Sequence, residues 1–229
     1  MQESALITPA DPASGVARAV RRRGRPANDA AGAVPEERML DLAFRTFAER
    51  GYEGTTLRKL TKELGVSHNL INVRFGSKAD LWRRAVDARI ARIAPSVWAA
   101  FDAPGLDDTA RLRALIRSFC RWAAENPDFV GMTHTEGRRS TWRIDYLVNA
   151  YIMPFKARFD ALLNLVASQR PVREISSTAL MALLVEGVGF YFASAPMMKR
   201  MHIADEIAPG QITQQVDHFA ALITAGLLI

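Results

Sequence analysis

Two groups of side chains carry functional chemistry, and both suit a polyanion better than a substrate. Arg18, Arg21, Arg22, Arg23 and Arg25 place five cations in eight residues with no acid among them. Within this run, Arg23-Gly24-Arg25-Pro26 forms, when extended, a backbone thin enough to lie in a narrow minor groove. Further along, Ser67, His68, Asn69, Asn72, Val73 and Arg74 form a polar, hydrogen-bonding surface on a short predicted helix. There Asn69 and Asn72 can pair bidentately with adenine, and Arg74 with guanine or a phosphate. Taken alone, each group also fits a solvated basic tail or an ordinary helix surface.

Catalytic chemistry finds no comparable support. His68, His134, His202 and His218 are scattered, and no HExxH or Walker pattern occurs. Gly187-Val188-Gly189 lacks the third glycine and the preceding strand of a dinucleotide fingerprint. Cys120 lies inside an apolar helical pattern without a nucleophile signature, so it reads as a buried structural thiol. We therefore expect no catalytic residue, no metal site and no cofactor.

The chain has 229 residues, 49% hydrophobic and 24% charged, an ordinary globular composition. One cysteine excludes an intrachain disulfide framework and points to a reducing compartment, the cytoplasm being the expected location. The net charge of +6 is unevenly placed: residues 1–94 hold 17 Lys+Arg against 11 Asp+Glu, and residues 95–229 hold 13 of each. Such polarity suits a part facing nucleic acid or an anionic membrane beside a part with another task. Glu3 and Asp11 near the start do not fit a secretory signal. Ala179–Met198 is the strongest membrane candidate, but Glu186 near its middle favours a buried helix of a soluble protein.

The elements that must position these groups are all helical. Residues 1–34 lack apolar periodicity and read as a disordered basic arm. Pro35, Glu36 and Glu37 suit a first turn, the stripe Leu40, Ala43, Phe44, Phe47 and Ala48 follows, and Gly51 is a stop. Thr55 or Thr56 caps a second helix ended by Gly65, and Ser67 caps a third over His68–Phe75, with Leu70 or Ile71 and Phe75 inward. A helix, a turn containing glycine and a capped short helix make a helix-turn-helix. Ser77 caps a fourth helix, and Pro95 marks its end or a kink. Helices are predicted over 109–125, 128–138, 146–169, 176–194 and 211–228, with no alternating strand pattern. The predicted fold is all-α, with a helix-turn-helix domain at 35–94 and a larger helical domain at 95–229.

From Arg22 to about Ile93 the sequence resembles the tetracycline-repressor (TetR) family of bacterial transcriptional regulators. The residues that carry it run from Arg23-Gly24-Arg25-Pro26 through Ala43-Phe44, Phe47-Ala48-Glu49-Arg50-Gly51-Tyr52 and Gly54-Thr55-Thr56-Leu57. They continue through Leu64-Gly65-Val66-Ser67 to Phe75-Gly76-Ser77-Lys78 and Leu81. The resemblance implies a homodimer whose N-terminal domains bind a double-stranded operator and whose C-terminal domains hold a small-molecule effector. It gives Thr56 and Lys78 phosphate contacts, and it implies a dimer interface from the last two long helices. Here Glu186, Gly187, Phe190, Val216, Phe219, Ala220 and Ile223 are the candidates, with Gly187 and Gly189 allowing close helix approach either between subunits or within one. Asn72 departs from the family, where a tyrosine usually touches the DNA backbone, and Arg74 replaces a common histidine or tyrosine.

A ligand-responsive regulator also needs a cavity whose occupant favours one arrangement of the reading heads. Candidates to line it are Trp98, Phe119, Trp122, His134, Arg138, Trp142, Tyr146 and Tyr151, suited to a largely apolar effector with one polar or acidic group. Two functions thus stand side by side. One is a ligand-responsive repressor binding a pseudo-palindromic operator as a homodimer, with no membrane partner. The alternative is a binder of nucleic acid or anionic membrane without sequence preference, acting through the basic N-terminal region.

Overall fold

The computed structural model describes residues 34–201 and 210–229, and these are helical almost throughout. The basic run Arg18 to Arg25 within the expected arm, and with it the expected contacts of Arg21, Arg23 and Arg25, lies outside the described residues, as does His202.

Helix α1 (Glu36–Gly54) begins after Pro35, with Glu36 and Glu37 in its first turn. Its regular course breaks at Gly51 (φ 70°, ψ 168°), a left-handed backbone that a Cβ would strain, so the predicted stop is seen as a kink. Helix α2 (Leu57–Leu64) is capped by Thr56, whose hydroxyl accepts the Lys59 amide. It ends at Gly65 (φ 66°, ψ 25°), where the Gly65 amide donates to the Lys62 carbonyl and the Val66 amide to that of Thr61. This pair of bonds is a Schellman closure and redirects the chain into α3 (His68–Phe75), capped by Ser67. Helix α4 (Lys78–Ile93) opens with a reciprocal box between Ser77 and Asp80. The Ser77 hydrogen bonds hold the Asp80 carboxyl below its ordinary pKa. Ala94 ends α4 and Pro95 opens α5 (Pro95–Phe101), where its missing N–H costs no hydrogen bond.

The remainder follows the predicted helices closely. Asp107 caps α6 (Asp108–Glu125), Pro127 opens α7 (Pro127–Gly137), and α8 (Trp142–Leu147) runs through a π-helical turn (Val148–Ile152) into α9 (Met153–Gln169). Pro154 lies in the first turn of α9, so a lost amide donor and a ring that crowds the preceding turn accompany the widened helix. Helix α10 (Ser177–Ala182) passes through a second π turn (Leu183–Val188) into α11 (Gly189–Ala193), followed by α12 (Ala195–Arg200) and α13 (Ile212–Leu227). Among the described residues no helix is long and apolar enough to cross a membrane.

Two apolar clusters hold these helices. One gathers Phe44 and Phe47 of α1, Leu60 of α2, Ile71 and Phe75 of α3 and Trp82 of α4, and takes in Phe129 and Met132 of α7 and Leu147 of α8. The reading helix is thus seated by Ile71 and Phe75, while its other face stays in solvent. The other joins α5, α6, α9, α10, α11 and α13 around Leu112, Ile116, Cys120, Phe159 and Val188. Between α7 and α8, Arg143 donates from Nε to Glu136 Oε2 at 2.9 Å, both side chains being buried. The Arg143 guanidinium also covers the Tyr52 ring at 4.4 Å.

Candidate functional site

On α3 the residue types alternate as a reading helix requires. Ile71 and Phe75 are buried, whereas Ser67, His68, Asn69, Asn72 and Val73 are exposed, Val73 at 74%. Asn72 Nδ2 lies 3.0 Å from His68 Nδ1, one turn away, so these two side chains brace each other at the surface. Arg74 is placed differently from the expected groove contact. Its guanidinium donates to the Val34 carbonyl at 3.2 Å, and its own carbonyl accepts from Arg84 at 2.8 Å. The cause is rotational: Arg74 lies beside Phe75 on a side of α3 from which its guanidinium reaches Val34 and Met39, away from the face carrying Asn69 and Val73.

The two expected phosphate contacts flank this helix. Thr56 is exposed at the start of α2, with its hydroxyl engaged as an acceptor for Lys59. Lys78 opens α4, where free amides and the helix dipole favour an anion. Its Nζ rests 4.1 Å above the Tyr52 ring, and burial pulls its pKa below the ordinary lysine value.

At the far end of α4 a second feature opens. Ile90, Ile93 and Ala94 of α4 and its cap form one wall of a cavity of about 200 Å³. The other walls come from α5, α6, α7, α8, both π turns, α9 and α10 with α11, and their lining is almost wholly apolar. Of the expected ligand contacts, the structure brings Trp98, Phe119, Trp122 and Tyr151 to this cavity. It places the other four elsewhere. Trp142 packs edge-on against Trp82 and Tyr52, and Arg138 is exposed after α7. His134 Nδ1 pairs with Glu186 Oε2, which also ties an expected ligand contact to an expected interface residue.

Tyr146 is turned toward α4, where its hydroxyl donates to Asp87 Oδ1 at 2.6 Å. Tyr151 Oη donates to the same oxygen at 2.5 Å. Burial, reinforced by the carboxylate, pushes both phenols above the ordinary tyrosine pKa. Sequence reasoning missed Asp87, since one acid on a charged helix carries no distinguishing signal. It also passed over Ile90, and it took Ile93 only as part of the apolar stripe of α4, not as a wall of the cavity.

The expected interface residues divide in the same way. Val216, Ala220 and Ile223 are buried in the subunit's own core cluster, and Ile223 also lines an outward groove. The amphipathic pattern of α13 has its buried stripe turned inward onto α6. Gly187 and Phe190 are exposed, and Phe219 borders an outward groove of about 500 Å³ with Leu183, Gly187, Leu222 and Gly226. The glycines part company too: a Cβ on Gly189 would lie 2.8 Å from Val130 Cγ1 within the subunit, whereas one on Gly187 would meet only Leu183 at 3.4 Å.

A capped helix pair with its second helix exposed, joined to a helical body containing an apolar cavity, defines a helix-turn-helix regulator class. Residues 39–85 match the family model of bacterial regulatory proteins of the tetR family. Over 67 residues the chain is 34% identical to the uncharacterized HTH-type transcriptional regulator YezE of Bacillus subtilis (strain 168), a match spanning 29% of this chain and 34% of that protein. The chain thus matches about a third of its curated relative's length. Its fold is similar to that of the ketosteroid transcriptional regulator KstR2 of Mycobacterium tuberculosis, with TM-score 0.65, 18% identity and coverage of 87% of this chain and 98% of that one. It is similar as well to a TetR-like transcriptional regulator from Rhodococcus sp. RHA1, with TM-score 0.59, 20% identity and coverage of 86% and 94%. Residues 39–85 are thus similar to the tetR family, and the described residues have a fold similar to that of these solved regulators.

Proposed function

We propose that the protein is a ligand-responsive transcriptional regulator, a repressor that binds a pseudo-palindromic DNA operator as a homodimer. The observation that carries this reading is the course of α4. Its first residue, Lys78, lies beside the reading helix, and its last turn, with Ile90 and Ile93, walls the cavity. A cavity occupant that favours one position of α4 therefore changes the setting of α3 on DNA, and its differential affinity for the two settings is the regulatory energy.

In this reading Ser67, His68, Asn69, Asn72 and Val73 face the major groove, and Thr56 and Lys78 meet phosphates. Arg74 supports the helix from behind. Leu183 and Leu222, both substantially exposed, give the groove beside α13 the apolar character of a subunit interface. Enzymatic action has no place in it, and the DNA-facing chemistry disfavours a membrane surface.

Selection of bound duplexes from a random pool at near-physiological salt tests the proposal. Recovery of a short inverted repeat is the expected result. Recovery of no motif, with binding that disappears as salt rises, would overturn it in favour of nonspecific polyanion binding.

A further inference from the structure

Resting on that reading, we propose that the cavity takes an uncharged, mainly apolar hydroxyl compound, such as a phenol or aryl alcohol, and discriminates against anions. Among the described residues, no Lys, Arg, His, Asp or Glu lines it. An anion would enter without a cation to replace its hydration, the costliest kind of burial. The volume of about 200 Å³ is at the small end for ligand sites and suits one or two fused rings.

The hydrogen-bonding capacity left in the wall narrows the class further. Thr133 commits its proton to the Val130 carbonyl at 2.9 Å, and Tyr151 commits its proton to Asp87 at 2.5 Å. Each hydroxyl keeps only lone pairs to offer. A ligand hydroxyl complements this set by donating to a wall oxygen. An ether or ketone only accepts, and a carboxylate would face lone pairs with the Asp87 carboxylate behind them. Tyr151 is the favoured acceptor, because donation to Asp87 polarises its hydroxyl and strengthens the oxygen's acceptance.

The test is calorimetric titration of the full-length protein at pH 7 with 2-naphthol, 2-methoxynaphthalene and 2-naphthoate. The naphthol is expected to bind about tenfold more tightly than its methyl ether, the equivalent of one neutral hydrogen bond, with the naphthoate weakest. Tyr151→Phe is expected to remove most of the naphthol's advantage and leave ether binding unchanged, which certifies the cavity. If Tyr151→Phe loses the ether as well, Asp87→Asn is read instead and is expected to cut the naphthol:ether ratio at least threefold. Equal binding of naphthol and ether, a preference for the naphthoate, no binding of any probe, or an unchanged ratio in the deciding variant would overturn the proposal. The duplex selection separates the two readings: a recovered operator with no naphthol preference sinks only the ligand class, and naphthol preference without an operator sinks only the regulator.

Discussion

Gly189 gives the most exacting test of how the helical body is packed around the cavity. It is buried, with helical backbone, and a Cβ there would lie 2.8 Å from Val130 Cγ1. Helical preference alone makes Gly→Ala favourable by about 1 kcal/mol. Overpacking costs ~1–3 kcal/mol, and the β-branched Val130, stiff about χ1 on α7, has little room to yield. Gly189→Ala should therefore destabilise the protein by about 0–2 kcal/mol, the difference between those two effects. In a Val130→Ala background the obstructing methyls are gone, and the same substitution should stabilise by about 1 kcal/mol. The coupling between the sites is then on the order of 1–3 kcal/mol, well above the few tenths expected of independent positions. Urea unfolding of all four proteins at one fixed concentration reads it, since association would otherwise shift the apparent stability. An effect of Gly189→Ala that is the same with valine or alanine at position 130 would refute this contact. Both residues line the cavity, so the series also tests whether its wall is set by that close approach.

Further expectations follow from the same contacts. Asn69→Ala should reduce base preference by ~1–3 kcal/mol at one position per half-site, whereas Lys78→Ala should weaken all duplexes alike; competition binding with operator variants would expose a uniform loss in both. Glu136→Ala leaves the buried Arg143 only the exposed Glu53 carboxylate at 3.6 Å and should cost about 3 kcal/mol in chemical unfolding, a loss below about 1 kcal/mol being incompatible with the pair as described. Leu222, 70% exposed, carries the proposed interface, so Leu222→Glu should convert dimer to monomer by light scattering while helical content is kept; an unchanged mass would remove α13 from the interface. Burial pushes the Cys120 thiol up to about 12 from 9.0, so the folded state keeps a proton that the unfolded chain releases. Its stabilising contribution is complete below pH 9 and lost as pH rises from there toward 12. Native protein at pH 8 should resist thiol reagents until unfolded, and rapid labelling of the native form would contradict that burial.

Much of the reading head was legible because its signals are local. Thr56, Ser67 and Ser77 each accept an amide at a helix start, and Gly65 supplies the left-handed turn between α2 and α3. These effects act within about four residues, so residue type and spacing are sufficient to locate them. The helical spans of the body were legible for a related reason, since prolines, caps and apolar periodicity are also short-range. Pro154 shows where this ends: it sits inside a predicted continuous helix, and the chain passes it through a π turn instead of stopping.

What each apolar face meets was decided only by the tertiary structure. The stripe of Val216, Ala220 and Ile223 on α13 has the spacing of any buried seam, and periodicity cannot tell a subunit's own α6 from a partner. Gly187 and Gly189 are two residues apart, yet the 100° turn per helical residue sends one outward and the other against Val130. The same rotation takes Arg74 off the reading face to Val34. The cavity draws residues from eight helices and both π turns, and Asp87 joins it only through Tyr151. Hydrogen-bond geometry and capping are written into neighbouring residues, whereas burial depends on which distant surfaces arrive together. The sequence thus determined the helices and the DNA-reading motif, and the packing of those helices decided the cavity, its chemistry and the face left for a partner.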